Sequence, residues 1–468
     1  MPATDSPALV VARFLKTNNY TESYEAFIAE AGLPYDAGTV SKGDLTLEVL
    51  LEEKKTFDLS AQFERLGAED GVGGWTVPAP TAARAVTALP SSSNILSAAV
   101  AATTTGGDAA STPTLLATTA DRRLHVLDAT SQALRASLAG LHDSPILSCA
   151  VFRQQYLLTA SMSGQLAVSD IAGSTTEQRR DHSKYIVKVA VHDEEDGPLI
   201  ATAGWDCKIN LYSPSIAEEQ FSLGEPTASI TLPTKPEAIV FLRHPETAQP
   251  ILIVSRTDSS FLYYYTTEPK PRLLGRQNLA PHSNAWVAFT PSALALCPTD
   301  HSLLAVGTST VPHMKLLLVR LLVPPYAQEA PSTSAAPATP LRTLLLDDGP
   351  ATETQASQAR AALVIAERES AAIQIHCTTM APQTAYSTPA VAWRPDGSGV
   401  WVNGDDGAIR GVEVSSGKVV STLQGHEAGS KVRCLWAGDV DGEDGKEEML
   451  VSGGFDQKLI VWRAVPPS

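Results

Sequence analysis

Ala203-Gly204-Trp205-Asp206-Cys207-Lys208-Ile209 and Gly453-Gly454-Phe455-Asp456-Gln457-Lys458-Leu459 state one phrase at two distant points of the chain. Small residues close a first strand, an aromatic–Asp pair forms a tight turn, and an apolar second strand ends on Tyr212 or Trp462. Weaker copies run through most of the sequence. Strand pairs are expected at 115–127, 157–168, 199–212, 251–265, 303–320, 400–414 and 449–462. The first three begin at 115, 157 and 199, a spacing of 42 residues. Self-similarity at that period marks a fold made by repeating one supersecondary unit.

Each pair is preceded by an apolar run suited to an inner strand, at 95–99, 146–152, 186–191, 238–242, 293–296, 390–393 and 432–436. The expected fold is mainly β: a propeller of seven blades over residues 83–464. Eight blades are possible, because a further pair can be drawn at 363–377. That pair follows a Pro/Ala/Ser/Thr-rich insertion at 324–358, too poor in large apolar residues to pack. The last blade lacks an outer strand, and 83–89 is placed to supply it. Closing the ring from both chain ends removes exposed sheet edges.

These blades resemble WD repeats, specifically at the third and last blades and loosely elsewhere. In that family, residues at the matching positions form a structural hydrogen-bond chain, which implies that role for His426, Ser452, Asp456 and Trp462 and for His182, Thr202, Asp206 and Tyr212. Ser, His and Asp together also suggest a hydrolase. Two copies at matching repeat positions and the absence of a GxSxG turn favour the structural role. The second blade has His142 but Gly164 where Asp is expected, and the first has Asp121 without a closing aromatic. Packing alone is expected to hold those two.

Before the repeats, residues 6–67 read as helices with apolar residues at i, i+3 and i+4. Ser6 is placed as an N-cap with Pro7 behind it, Asn18-Asn19 ends the first helix, and Gly32 ends the second. Residues 6–33 form the helix pair, 34–70 a helical extension with helices near 44–55 and 58–66, and 71–82 a linker. Residues 8–33 resemble the LisH motif, with Phe14-Leu15, Tyr20, Phe27 and Glu30 where the motif places them. Asn19 and Ser23 depart mildly from it. The resemblance implies a homodimer through Val10, Val11, Phe14, Leu15, Tyr20, Tyr24, Phe27 and Ile28.

The totals exclude several function classes. Hydrophobic residues make up 43%, and the net charge of -16 works against broad binding to nucleic acid or anionic membrane. Five scattered cysteines, with no CxxC pair, suit a reducing intracellular compartment, cytoplasmic or nuclear. A secretory signal is not expected, since no basic start precedes an apolar run. Zinc, calcium and phosphate-loop patterns are absent, so no cofactor is expected.

Aromatic and charged residues in the turns mark a partner-binding face. Trp205, Phe455 and Trp286 are placed there, with Lys184, Tyr185, Arg256, Asp258 and Lys431 on the same rim, a composition typical of interaction hot spots. Trp205 and Phe455 could equally plug gaps between blades. Tyr263-Tyr264-Tyr265 alternates along a strand, so at least one ring belongs to the core. The expected function is a non-catalytic adaptor that binds proteins or peptides. Proteins of this combined layout act in ubiquitin-ligase, co-repressor or motor-regulatory complexes. The alternative is an enzyme or small-ligand binder using the central channel. The acidic charge would suit a basic peptide.

Overall fold

The computed structural model describes residues 6–40, 44–51, 74–104, 111–194, 197–217, 220–283, 288–326, 355–442 and 445–464. The chain divides into two compact units, Met1–Val72 and Gly73–Ser468.

In the first unit, α1 spans Pro7–Thr17 and α2 spans Thr21–Ala31. The Ser6 hydroxyl accepts the Leu9 N–H at 3.3 Å, and Pro7 follows where its missing donor costs nothing. Asn19 (φ 58°) makes the turn, and Gly32 (φ 63°) caps α2 in the left-handed conformation. Ala12, Tyr24 and Ile28 are buried between the helices, with Leu15, Phe27 and Leu33 packed against them. Helices this short are marginal alone, and this small core holds them. The chain then doubles back across α1, where the Tyr24 hydroxyl donates to the carbonyls of Ala37 and Tyr35. A Cβ on Gly38 would come within 2.7 Å of the Ala12 backbone, so that crossing requires glycine. A third helix begins at residue 47 and its described part ends at 51. The remainder of the expected helices at 44–55 and 58–66 lies outside the described residues.

The second unit is a seven-bladed β-propeller. Seven four-stranded antiparallel sheets follow one another, six of them running from inner to outer strand in chain order. The seventh is completed from the other end of the unit. Ala82–Ala85 pairs with Leu459–Arg463, in register from Ala82 opposite Arg463 to Ala85 opposite Ile460. The N–H groups of Thr81 and Val86 extend this ladder to the carbonyls of Arg463 and Leu459.

Among the described residues there is no eighth blade. Leu363, drawn above as part of a strand pair, lies in a helix, Gln355–Ala372. Ile373–Pro382 then pairs with His313–Arg320 as the outer strand of blade five. The insertion therefore interrupts blade five, and its last residues, 355–358, are already helical.

The core is a set of seams between blades. Ile209, Leu211 and Ile230 of blade three, for example, pack on Ile239, Phe241 and Leu252 of blade four. Six inner strands carry a bulge at one repeated place: Ile95/Ser97, Ile146/Ser148, Ile186/Lys188, Pro236/Ala238, Pro291/Ala293 and Val432/Cys434. A bulge raises local twist, which suits a strand bordering a narrow ring.

Residues 74–81, read above as linker from their glycines and prolines, lie along blades six and seven. Trp75 packs on Trp401, ring centroids 5.0 Å apart, over Gly399 and Gly411. A Cβ on either glycine would come within 2.2 Å of the Trp75 ring. Arg394, only 1% exposed, fastens the segment. Its guanidinium donates to Val77 O (3.1 Å) and Pro78 O (2.6 Å), pairs in two-pronged fashion with Glu448, and lies 4.8 Å from the Trp75 ring centre.

Candidate functional site

One backbone hydrogen bond recurs at the rim and aligns the blades. The N–H of the residue opening the turn between the two middle strands donates to the carbonyl of the loop entering the inner strand. The pairs are Ala120 to Asn94, Met162 to Pro145, Trp205 to Tyr185, Thr257 to Lys235, and Phe455 to Lys431. Trp205 and Phe455 therefore hold the same repeat position, and these turns and loops share one face of the ring.

Beneath that face, blade seven joins its four sequence-marked residues in a single chain. Trp462 Nε1–H donates to Ser452 Oγ (2.9 Å), Ser452 Oγ meets His426 Nε2 (2.8 Å), and His426 Nδ1 meets Asp456 Oδ1 (2.9 Å). Burial holds the His426 imidazole below its ordinary pKa, so the ring is neutral. Nδ1–H then donates to the carboxylate and Nε2 accepts the Ser452 hydroxyl proton. Burial opposes ionisation of Asp456, but bonds from His426 and the Glu427 N–H outweigh it and leave the carboxyl below the usual range. Ser452 and the side chains of His426 and Asp456 are sealed from water.

Blade three repeats the chain with one change. His182 bridges Thr202 Oγ1 and Asp206 Oδ1, each at 2.9 Å, and Asp206 accepts the Ser183 N–H. The Tyr212 hydroxyl instead donates to Asp181 at 3.0 Å, and Asn210 Nδ2 approaches His182 Nε2 at 3.3 Å.

The two irregular blades have polar chains of their own, contrary to the expectation of packing alone. In blade two Met162 stands at the Trp205 position, so Ser163, not Gly164, occupies the Asp place. His142 bonds Thr159 (2.9 Å) and reaches past the turn to Gln165 (3.2 Å). In blade one Asp121 accepts from Ser91 and Thr119, and Thr119 contacts His125 from the following strand at 3.3 Å.

These histidines carry a pH prediction. Burial lowers the pKa of both His142 and His426, so below about 6.5 the unfolded chain takes up protons that the folded chain refuses. Their contribution is therefore full above that pH and lost as pH falls through it. Urea unfolding at pH 7.5 and 5.5 should show a smaller pH dependence in His426→Asn than in the parent. An equal pH dependence would contradict the neutral buried imidazole.

On the face itself the structure brings together the residues of blades three and four. Tyr185, 38% exposed, stacks on Trp205 with centroids 5.2 Å apart, and Lys235 Nζ lies 4.4 Å from the Trp205 ring centre. Trp205 thus spans the seam between two blades while remaining partly open to solvent. Lys184 is exposed beside Tyr185. Arg256 donates to Tyr263 Oη (2.6 Å) and Thr234 Oγ1 (2.9 Å), and Asp258 (φ 58°) forms the turn next to it.

Phe455 and Lys431 belong to blade seven, on the same face but at another point of the ring. Phe455 is 40% exposed, and Lys431 pairs with Asp405 at 2.9 Å. Trp286 lies outside the described residues. Of the tyrosine run, Tyr264 is fully buried and its hydroxyl donates to Gln277 at 2.7 Å.

Lys235 escaped the sequence reading. It stands in the loop after Pro233, and only alignment of that loop with Tyr185 and Lys431 reveals that it meets the preceding blade's aromatic.

Residues 75–463 match the UCP007778 beta-propeller domain family, and residues 8–37 match the UCP007778 LisH domain. Comparison with curated proteins gives no match. The match over most of the chain, on the fold just described, makes this protein a member of the UCP007778 family, a LisH domain followed by a β-propeller.

Proposed function

We propose that the protein is a non-catalytic interaction scaffold whose blades are WD-type repeats. The LisH helices pair two copies, and each propeller offers the rim of blades three and four to a protein or peptide. The Tyr185–Trp205–Lys235 stack carries this reading. It is a preorganised aromatic surface at the solvent boundary, with cations beside it, and such groups dominate interface energetics. The sealing of Ser452 and Thr202 from water supports a structural role for the Ser/Thr–His–Asp sets over a nucleophilic one.

In the helical unit, Val11 (38%) and Tyr20 (52%) are exposed beside half-buried Phe14, Leu15 and Phe27. Val10, Tyr24 and Ile28 are buried within the unit. The dimerising stripe therefore consists of Val11, Phe14, Leu15, Tyr20 and Phe27. By analogy with the layout, the scaffold serves a ubiquitin-ligase, co-repressor or motor-regulatory complex inside the cell, in cytoplasm or nucleus. No cofactor, nucleic acid or membrane enters this reading. The cysteines form no disulfide among the described residues, and no described helix is long and apolar enough to cross a membrane.

Two outcomes test it. Trp205→Ala should weaken partner retention by roughly thirtyfold, the effect of about 2 kcal/mol at a hot spot, with the circular dichroism spectrum unchanged. An unchanged retention profile removes this rim from the account. Val11→Asp should convert a dimer to a monomer by light scattering, and a parent protein already monomeric at micromolar concentration would refute the pairing.

A further inference from the structure

The rim of blades three and four differs in charge from the chain that carries it. Its segments hold Lys184, Lys208, Lys235 and Arg256, and Lys188 follows two residues inside the same inner strand, in a chain of net charge -16. Among the described residues, none of these five makes a salt bridge with a carboxylate. Elsewhere in the propeller Arg153, Arg179, Arg243, Arg394 and Arg410 all do. Even on the same face over blades six and seven, Lys431 pairs with Asp405 and Lys458 with Glu427.

The acidic groups of blades three and four offer little compensation. Asp206 is engaged by His182 and the Ser183 N–H, and Asp181 by Arg179 and Tyr212. Burial pushes the Glu237 carboxyl up to about 7, so much of it is neutral near pH 7. Asp258 is the other acidic residue at these turns. Unpaired cations around a stacked Tyr–Trp pair form a local positive, aromatic surface on an acidic molecule.

We propose that the partner segment docking on blades three and four is an acidic peptide with an aromatic or large apolar residue, its carboxylates facing Lys184, Lys235 and Arg256. The net charge suits a basic peptide, but short-range pairing depends on the charges at the contact, because solvent screens beyond roughly 8 Å at physiological salt. A basic segment would meet like charges on this rim, whereas an acidic one supplies the carboxylates the rim lacks. The apolar residue would lie on Tyr185 and Trp205. The inference rests on the scaffold reading above and adds the chemistry of the occupant.

The test is selection of displayed random dodecapeptides on the full-length protein, scored for dependence on Trp205 by parallel selection on Trp205→Ala. Trp205-dependent peptides should carry net negative charge. Lys184→Glu with Lys235→Glu should weaken a synthetic copy of the best one about tenfold or more. Lys418→Glu, at an exposed turn of blade six, should change it less than twofold. Replacing the peptide's Glu and Asp by Gln and Asn should reproduce the loss. Trp205-dependent peptides of neutral or positive charge would overturn the acidic occupant and leave the scaffold reading standing. No Trp205-dependent peptide would overturn both. Competition by a single-stranded RNA oligonucleotide at the peptide's own affinity would show a general polyanion surface and overturn the proposal.

Discussion

Arg394→Ala should cost the propeller about 3–5 kcal/mol of folding free energy, read as a lower urea midpoint for the cooperative transition. The size follows from what is left behind. Burial already pushes the Glu448 carboxyl up, and without the guanidinium it would have to be either an unpaired charge or protonated in a mostly enclosed site. The carbonyls of Val77 and Pro78 would lose their donor. Trp75 would lose the cation over its ring. The segment 74–81 would loosen, and the strand it leads into closes the ring. Arg394→Lys should recover only part of the loss, because one ammonium cannot reproduce the fork to Glu448 while donating to two carbonyls. A shift below 1 kcal/mol in the alanine variant would mean that the clamp is not structural.

A larger effect is expected from removing the closing strand. A version beginning at Ser91 lacks residues 74–90, and with them the four paired residues Ala82–Ala85, the flanking bonds of Thr81 and Val86, and the whole Trp75–Arg394 contact. The combined loss is on the order of 5 kcal/mol or more, comparable to the entire stability of many domains. It also uncovers Leu459–Arg463 as an unpaired apolar edge, which invites aggregation. That version should be insoluble or show no cooperative thermal transition, while one beginning at Gly74 should unfold cooperatively like the parent. If the Ser91 version melts within a few degrees of the parent, closure by the N-terminal strand does not hold the ring.

The repeated phrase at 203–209 and 453–459 made the fold legible because each copy contains a complete turn between two buried strands. The inner strand expected at 146–152 is the one observed, Ile146–Phe152. The two His–Asp sets were implied by the resemblance to WD repeats, which aligns His182 with His426 and Asp206 with Asp456. What could not be read depends on contacts between blades. Lys235 matters only because the ring places it over Trp205, and Trp75 looks like linker until Gly399 and Gly411 leave room for its indole. The Ser163 register was hidden by a turn in which Gly164 (φ 83°) stands where Cys207 stands in blade three. A strand pair could be drawn at 363–377, but the alanines and charged residues around Leu363 favour the helix that forms. In the first unit, i, i+3, i+4 spacing located the apolar stripe without saying which residues face inward, and Val10 turned out buried where Val11 is exposed.

The central claim is that two propellers held together retain a partner that one propeller holds weakly. It is tested most directly by quantitative affinity purification with mass spectrometry, comparing the full-length protein with the version beginning at Gly74. That version removes the helices and keeps every residue described in the propeller. The account predicts the same specific partners with both, retained at least tenfold more by the full-length protein when the partner is itself bivalent. Equal retention, or no specific partner with either, would contradict it.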